Sequence, residues 1–76
     1  MRLNLDLAKR RRGYLLMSQP QLAEKIGVAL QTLSLWELGK QQPQLRHAVA
    51  WAQALDIPLT DLVIEQDGEP AKAAAP

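Results

Sequence analysis

The stretch from Ser18 to Gly39, SQPQLAEKIGVALQTLSLWELG, predicts two short helices joined by a turn at a glycine. Ser18 can cap the first helix, and Gln21 three residues later can return a hydrogen bond, which makes a capping box. Pro20 fits the first turn because its missing N–H would be unpaired there. Gly27 suits a left-handed helix end. Two helices joined in this way form a helix-turn-helix, whose second helix can enter the major groove of DNA.

Glycine and proline positions divide the rest of the chain into further helices, so that the predicted fold class is all-α with five helices. The predicted ranges are 4–16, 18–26, 28–38, 43–55 and 59–63. No large apolar residue follows position 65, so we expect a domain at 1–65 and a disordered tail at 66–76. An ordinary helical hairpin has the same helix–glycine–helix spacing, and spacing alone leaves that interpretation open.

The composition excludes several classes of protein. The 76 residues allow one domain, and zero cysteines with a single histidine, His47, cannot form a zinc site. No apolar run approaches 18 residues and no secretory signal is present, so we expect a cytoplasmic protein without a membrane segment. No catalytic or nucleotide-binding motif is present, so neither an enzyme, nor a cofactor, nor a small-molecule ligand is expected.

The charges are divided unevenly along the chain. Residues 1–46 carry eight basic and three acidic residues, whereas residues 47–76 carry one basic and five acidic residues. A polyanion is therefore attracted to the first part and repelled by the last. The basic run Lys9, Arg10 and Arg11 is either part of this attraction or a solvated helix face.

Three motifs in this sequence closely resemble the lambda-repressor/Cro-like, or Xre-type, family. They are SQxxLAxxIGV at 18–28, TLSxWExGKxxP at 32–43 and LDIxLxxL at 55–62. The resemblance covers roughly residues 5–64. It implies a compact five-helix domain that binds double-stranded operator DNA, usually as a symmetric dimer, and regulates transcription.

The resemblance also implies which residues contact DNA. The positions that match base contacts in the third helix are Gln31, Ser34, Leu30, Ala29 and Leu35. The positions that match phosphate contacts are Gln19, Thr32, Lys40, Gln42 and Arg46. A glutamine can bind adenine through two hydrogen bonds, so Gln31 is the strongest candidate. For Gln19 and Lys40, plain solvent exposure is the alternative.

The resemblance also implies a structural ion pair, and the predicted fifth helix with its flank offers a surface for a dimer. Arg12 and Glu37 match a largely buried ion pair that joins the first helix to the end of the third. Dimer-interface candidates are Leu62, Val63 and Ile64, with the alternative that Leu62 closes the core of the domain.

The sequence departs from the family pattern at four positions. Ala29 replaces the usual Ser or Thr cap, and Leu16 stands where the family favours glycine, so the turn there must differ or bear strain. Leu30 and Leu35 replace polar residues on the helix expected to face the bases. They could touch thymine methyl groups, be tolerated on the surface, or form with Leu38 an apolar patch for a protein partner.

The sequence therefore predicts a transcriptional regulator, more readily a repressor, that binds a near-palindromic operator as a homodimer. A bacterial or phage origin and a nucleoid-associated place in the cytoplasm are expected. One alternative is a DNA-binding antitoxin whose acidic tail folds on a toxin. Another is a protein-interaction module that uses Leu30, Leu35 and Leu38 to bind a co-regulator or other partner.

Overall fold

A computed structural model describes residues 2–64 of the chain. Within these residues the fold is all-α, as predicted, with one small ribbon of two strands added. The elements in order are β1 Arg2–Leu3, α1 Leu5–Tyr14, α2 Gln19–Ile26, α3 Leu30–Glu37, α4 Leu45–Ala54, α5 Leu59–Leu62 and β2 Val63–Ile64. The predicted tail at 66–76 and the domain boundary at 65 lie outside the described residues.

The ends of α2 form as the sequence predicts. The Ser18 hydroxyl oxygen accepts a hydrogen bond from the Gln21 backbone N–H at 3.2 Å, and the Ser18 N–H donates to Gln21 Oε1 at 2.9 Å. Gly27 ends the helix with a φ of 90°. The other predicted helices are one or two residues too long at their ends, because helix ends fray and a sequence pattern locates them only to within one or two residues.

Side chains of α2, α3 and α4 pack together in the core, which contains two tryptophans. Trp36 of α3 and Trp51 of α4 are buried, with ring centroids 5.4 Å apart. Ala23 of α2 is also buried, and its small side chain allows α2 and α3 to approach closely. The other buried apolar residues are Ala8, Leu22, Leu33, Ala48, Ala52, Leu55 and Leu62. This packing sets the angle at which α3 is presented.

The two strands join the beginning and end of the described residues. Arg2 pairs with Ile64 and Leu3 with Val63 in antiparallel register. The prediction that Val63 belongs to the fifth helix is therefore wrong, since its φ of −97° and ψ of 119° are extended. The cause is the pairing with β1, which lies about sixty positions away and leaves no local signal.

Arg11 lies at a junction between α1 and α4. Its Nε donates a hydrogen bond of 2.9 Å to the Leu55 carbonyl at the end of α4, and its Nη2 lies 3.9 Å from the Asp56 carboxylate. The guanidinium also lies 4.9 Å from the centre of the Tyr14 ring. Arg11 therefore connects α1 to the end of α4, whereas Lys9 and Arg10 of the same basic run are exposed on α1.

Replacement of Arg11 by alanine is expected to lower the free energy of unfolding by about 1–2 kcal/mol, because a charge-assisted bond to a helix C-terminus is lost. Urea denaturation measures the change. Arg10→Ala is the matched control, since its guanidinium reaches only Asp6 O of its own helix, at 3.4 Å. An equal loss of stability in Arg11→Ala and Arg10→Ala would contradict the role assigned to Arg11.

Leu16 adopts the left-handed conformation that the sequence predicts to be strained. Its φ is 58°, and its side chain is 89% exposed. The Leu16 N–H donates to Gly13 O at 3.0 Å and the Met17 N–H to Arg12 O at 3.1 Å. These two bonds close α1 in the pattern that usually has glycine at its left-handed position.

Leu16→Gly is therefore expected to raise the free energy of unfolding by about 0.5–1 kcal/mol. The substitution removes the steric strain that an L-residue has in the left-handed conformation. Part of this gain in stability is lost because glycine has a greater conformational entropy in the unfolded chain. Thermal melting measures the gain. Leu16→Ala removes the same exposed side chain but keeps the Cβ atom, so its stability should stay below that of Leu16→Gly. A more stable alanine variant would contradict the assignment of strain.

Candidate nucleic-acid interface

The exposed face of α3 forms one wall of an open groove of about 400 Å³ beside the start of α2. The groove is lined by Gln19, Leu30, Gln31, Ser34 and Leu35. All five were predicted from the sequence as DNA contacts, and the structure brings them together. Gln31 is exposed and Ser34 half-buried, so both present polar groups where a ligand can reach them.

The N-terminus of α3 lies at the same groove, since Leu30, the first residue of the helix, lines it. Ala29 stands at the N-cap position and its side chain accepts no hydrogen bond. The N–H groups of the first turn therefore keep their capacity to donate, and the helix dipole adds positive potential. Thr32 follows in this turn and is half-buried. The local chemistry suits an anion.

A buried ion pair fixes Gln19 at the edge of the groove. Arg12 Nε donates to Glu37 Oε2 at 2.8 Å and Arg12 Nη2 donates to Glu37 Oε1 at 3.0 Å, so the contact is bidentate. Gln19 Nε2 donates to the same Oε1 at 2.9 Å. Arg12 also donates to the Met17 carbonyl at 3.2 Å. The amide of Gln19 is thus held in one orientation, with its second N–H left for a further acceptor.

The Glu37 side chain is buried, with 3% of its surface exposed. A carboxylate at that depth needs a partner, and the Arg12 guanidinium supplies it with two parallel hydrogen bonds. The pair joins α1, the start of α2 and the end of α3. Both carboxylate oxygens of Glu37 accept hydrogen bonds within this network.

A second open groove, of about 390 Å³, lies along the loop after α3. Lys40 and Gln42, two of the predicted phosphate contacts, line it with Trp36, Gly39 and Gln41. Arg2 and Leu3 of β1 and Leu5 of α1 complete the lining. Sequence reasoning missed Arg2, which lines the same groove as Lys40 because the folded chain brings β1 to this loop. Arg46, the remaining phosphate candidate, is exposed in the first turn of α4 and does not line either groove.

Comparison with known proteins establishes the family. A family model described as helix-turn-helix matches residues 7–62. The chain belongs to the helix-turn-helix family. The resemblance to its Xre-type, lambda-repressor-like branch, stated from the sequence motifs, is confirmed.

Two relatives of this helix-turn-helix chain come from archaea. An uncharacterized HTH-type transcriptional regulator of Archaeoglobus fulgidus is 40% identical over 53 residues, which cover 70% of this chain and 76% of the relative. A second protein of the same description, from Methanocaldococcus jannaschii, is 36% identical over 53 residues, which cover 70% and 80%. The predicted bacterial or phage origin stays a prediction.

The predicted dimer-interface residues fall into two environments in this helix-turn-helix domain. Leu62 is completely buried in the core, so it has no surface to offer a second copy. This corrects its place among the interface candidates and supports the alternative that it closes the core. Val63 is half-buried and Ile64 is exposed, both on β2. They stay candidates.

No helix within residues 2–64 is long and apolar enough to cross a membrane. No group of three or more histidine, cysteine, aspartate or glutamate side chains is placed to hold a metal ion in these same residues.

Proposed function

We propose that this protein is a DNA-binding transcriptional regulator that places α3 in the major groove of a near-palindromic operator. The observation that carries the proposal is the groove beside α3, where Gln19, Leu30, Gln31, Ser34 and Leu35 converge. In a helix-turn-helix protein this face of the second helix is the one that enters DNA. The names of the two archaeal relatives agree with this function.

The proposed contacts divide between bases and phosphates. Gln31 binds adenine through N6 and N7, and Ser34 makes a shorter polar contact. Gln19, held by Glu37, donates its second N–H to a phosphate at the start of α2, where the helix dipole also attracts an anion. Further phosphate contacts are proposed for Thr32, Lys40, Gln42 and Arg46. Ala29 brings the α3 backbone close to the DNA at its N-terminus.

We further propose that the protein acts as a homodimer. One α3 presents few polar base contacts, so a second copy bound one helical turn away, about 34–36 Å, is needed for a specific operator. The ribbon residues Val63 and Ile64 are the proposed contact between copies. A dimer bound over a promoter blocks access to it, so repression of transcription is the proposed activity. The proposed location of the protein is the cytoplasm.

The protein-interaction alternative has one observation in its favour, since Leu38 is exposed near Leu30 and Leu35 along α3. Apolar side chains of this kind can also serve a protein surface. The antitoxin alternative depends on residues 66–76, which lie outside the described residues.

Selection of bound duplexes from a random pool near 0.15 M salt tests the proposed function. We expect an enriched inverted repeat with half-sites about one helical turn apart. If only salt-sensitive binding at roughly 10⁻⁴–10⁻⁶ M without enrichment is found, specific operator binding by this chain alone is wrong.

Lys40→Ala is expected to weaken binding to all duplexes by a similar factor. A lost phosphate contact carries no base information, and it should reduce the slope of log K against log salt by about one unit. Fluorescence anisotropy titrations on operator and random DNA at several salt concentrations measure both effects. The matched control is Lys9→Ala, an exposed lysine of α1 outside both grooves. A loss confined to the operator would show that Lys40 contacts bases instead.

A further inference from the structure

The groove beside α3 combines polar and apolar side chains in a regular arrangement. Leu30 and Leu35 are 41% and 36% exposed and line it together with Gln31 and Ser34. Residues four apart are neighbours on a helix, so Leu30 lies beside Ser34 and Gln31 beside Leu35. Each polar side chain that can contact a base therefore has a leucine next to it.

The edges of base pairs in the major groove offer such leucines one suitable partner. Adenine, guanine and cytosine present hydrogen-bond donors and acceptors there, whereas thymine adds an apolar 5-methyl group. A leucine pressed against a donor or acceptor removes its water without replacing the hydrogen bond, which is unfavourable. Against a methyl group the same leucine buries apolar surface, which is favourable.

We propose that Leu30 and Leu35 contact thymine 5-methyl groups next to the base bound by Gln31, and so require A·T pairs in each half-site. This inference rests on the proposed function, because it needs α3 in the major groove. It assigns the specificity of the protein to two apolar side chains as well as to Gln31. A G·C pair at either position would place polar edges against a leucine.

Removal of single methyl groups from the DNA tests the proposal with the unaltered protein. In the selected operator, each thymine is replaced in turn by deoxyuridine, which keeps the base pairing and lacks only the methyl group. Dissociation constants are measured by anisotropy for every duplex. We expect one or two thymines per half-site at which the replacement weakens binding about three- to fivefold, the factor for one buried methyl group.

Protein variants then assign each methyl group to a side chain. Each alanine variant, Leu30→Ala or Leu35→Ala, lacks one of the two leucines. At the thymine that the missing leucine would contact, replacement by deoxyuridine should then weaken binding by less than about 1.5-fold. Leu38→Ala is the matched control, since Leu38 is an exposed leucine at the end of α3 that does not line the groove. In this control the deoxyuridine losses should stay as in the unaltered protein.

The outcomes separate this inference from the proposed function. An operator that is bound specifically but is indifferent to deoxyuridine at every position overturns the inference alone. Losses that persist unchanged in both alanine variants also overturn it, and Leu30 and Leu35 are then available for a protein partner. If no duplex is preferred over random DNA, the proposed function fails and the inference fails with it.

Discussion

Arg12→Ala is expected to lower the free energy of unfolding by about 3 kcal/mol. The variant leaves the Glu37 carboxylate, 3% exposed, without its guanidinium partner. Loss of one partner from a buried pair costs roughly 3–5 kcal/mol, and the lower end applies because Arg12 itself is partly exposed. A domain of this size has a stability of roughly 5 kcal/mol, so much of its stability depends on this contact.

Urea denaturation with a fluorescence readout of Trp36 and Trp51 measures the change. Glu37→Gln should lower the free energy of unfolding by less than Arg12→Ala does, because the guanidinium left behind is partly exposed to water, whereas the carboxylate is not. The double variant Arg12→Leu/Glu37→Leu should recover part of the loss, since it removes both charges at once. Lys9→Ala is the control for an exposed cation on the same helix and should change stability by less than about 0.5 kcal/mol. A cost under about 1 kcal/mol for Arg12→Ala would show that the pair behaves as a surface ion pair.

Gln31→Ala is expected to weaken binding to the selected operator by about 5- to 150-fold, which corresponds to about 1–3 kcal/mol. Two hydrogen bonds to adenine are lost in each half-site, while the phosphate contacts stay. Binding to random DNA should therefore stay nearly unchanged, and a second selection with the variant should show no preference at one position of the half-site.

The control for Gln31 is Gln53→Ala, an exposed glutamine on α4 outside the α3 groove. It should bind both DNAs as the unaltered protein does. Thermal melting of Gln31→Ala checks that the fold is kept, which its exposed position leads us to expect. An equal loss on operator and random DNA would contradict the assignment of Gln31 to a base.

The elements that could be predicted from the sequence are those decided within a few residues. The capping box of Ser18 and Gln21 and the left-handed Gly27 each depend on neighbours no more than four positions away. The strain at Leu16 is local in the same way, since a left-handed turn disfavours any side chain with a Cβ atom.

The candidate site was found through motif resemblance more than through local pattern. The residues of the α3 groove follow from the family motif, and so does the pairing of Arg12 with Glu37, which lie 25 positions apart. For Gln19, the third member of that network, the sequence indicates a phosphate contact or plain solvent exposure and gives no sign of Glu37. The bond of Gln19 to Glu37 became visible because packing brings the start of α2 against the end of α3.

From the sequence we could predict the five-helix class, the turn between α2 and α3, and the residues on the exposed face of α3. These follow from local capping, from glycine and from the family motif. The contacts made between distant positions could not be predicted in this way. Arg11 donates to the Leu55 carbonyl, 44 positions away, Val63 lies in a strand, and Arg2 lines the same groove as Lys40. The reason is physical. A half-buried arginine on a helix and two extended residues have no local preference that specifies a distant contact. Packing of the core brings these distant residues together.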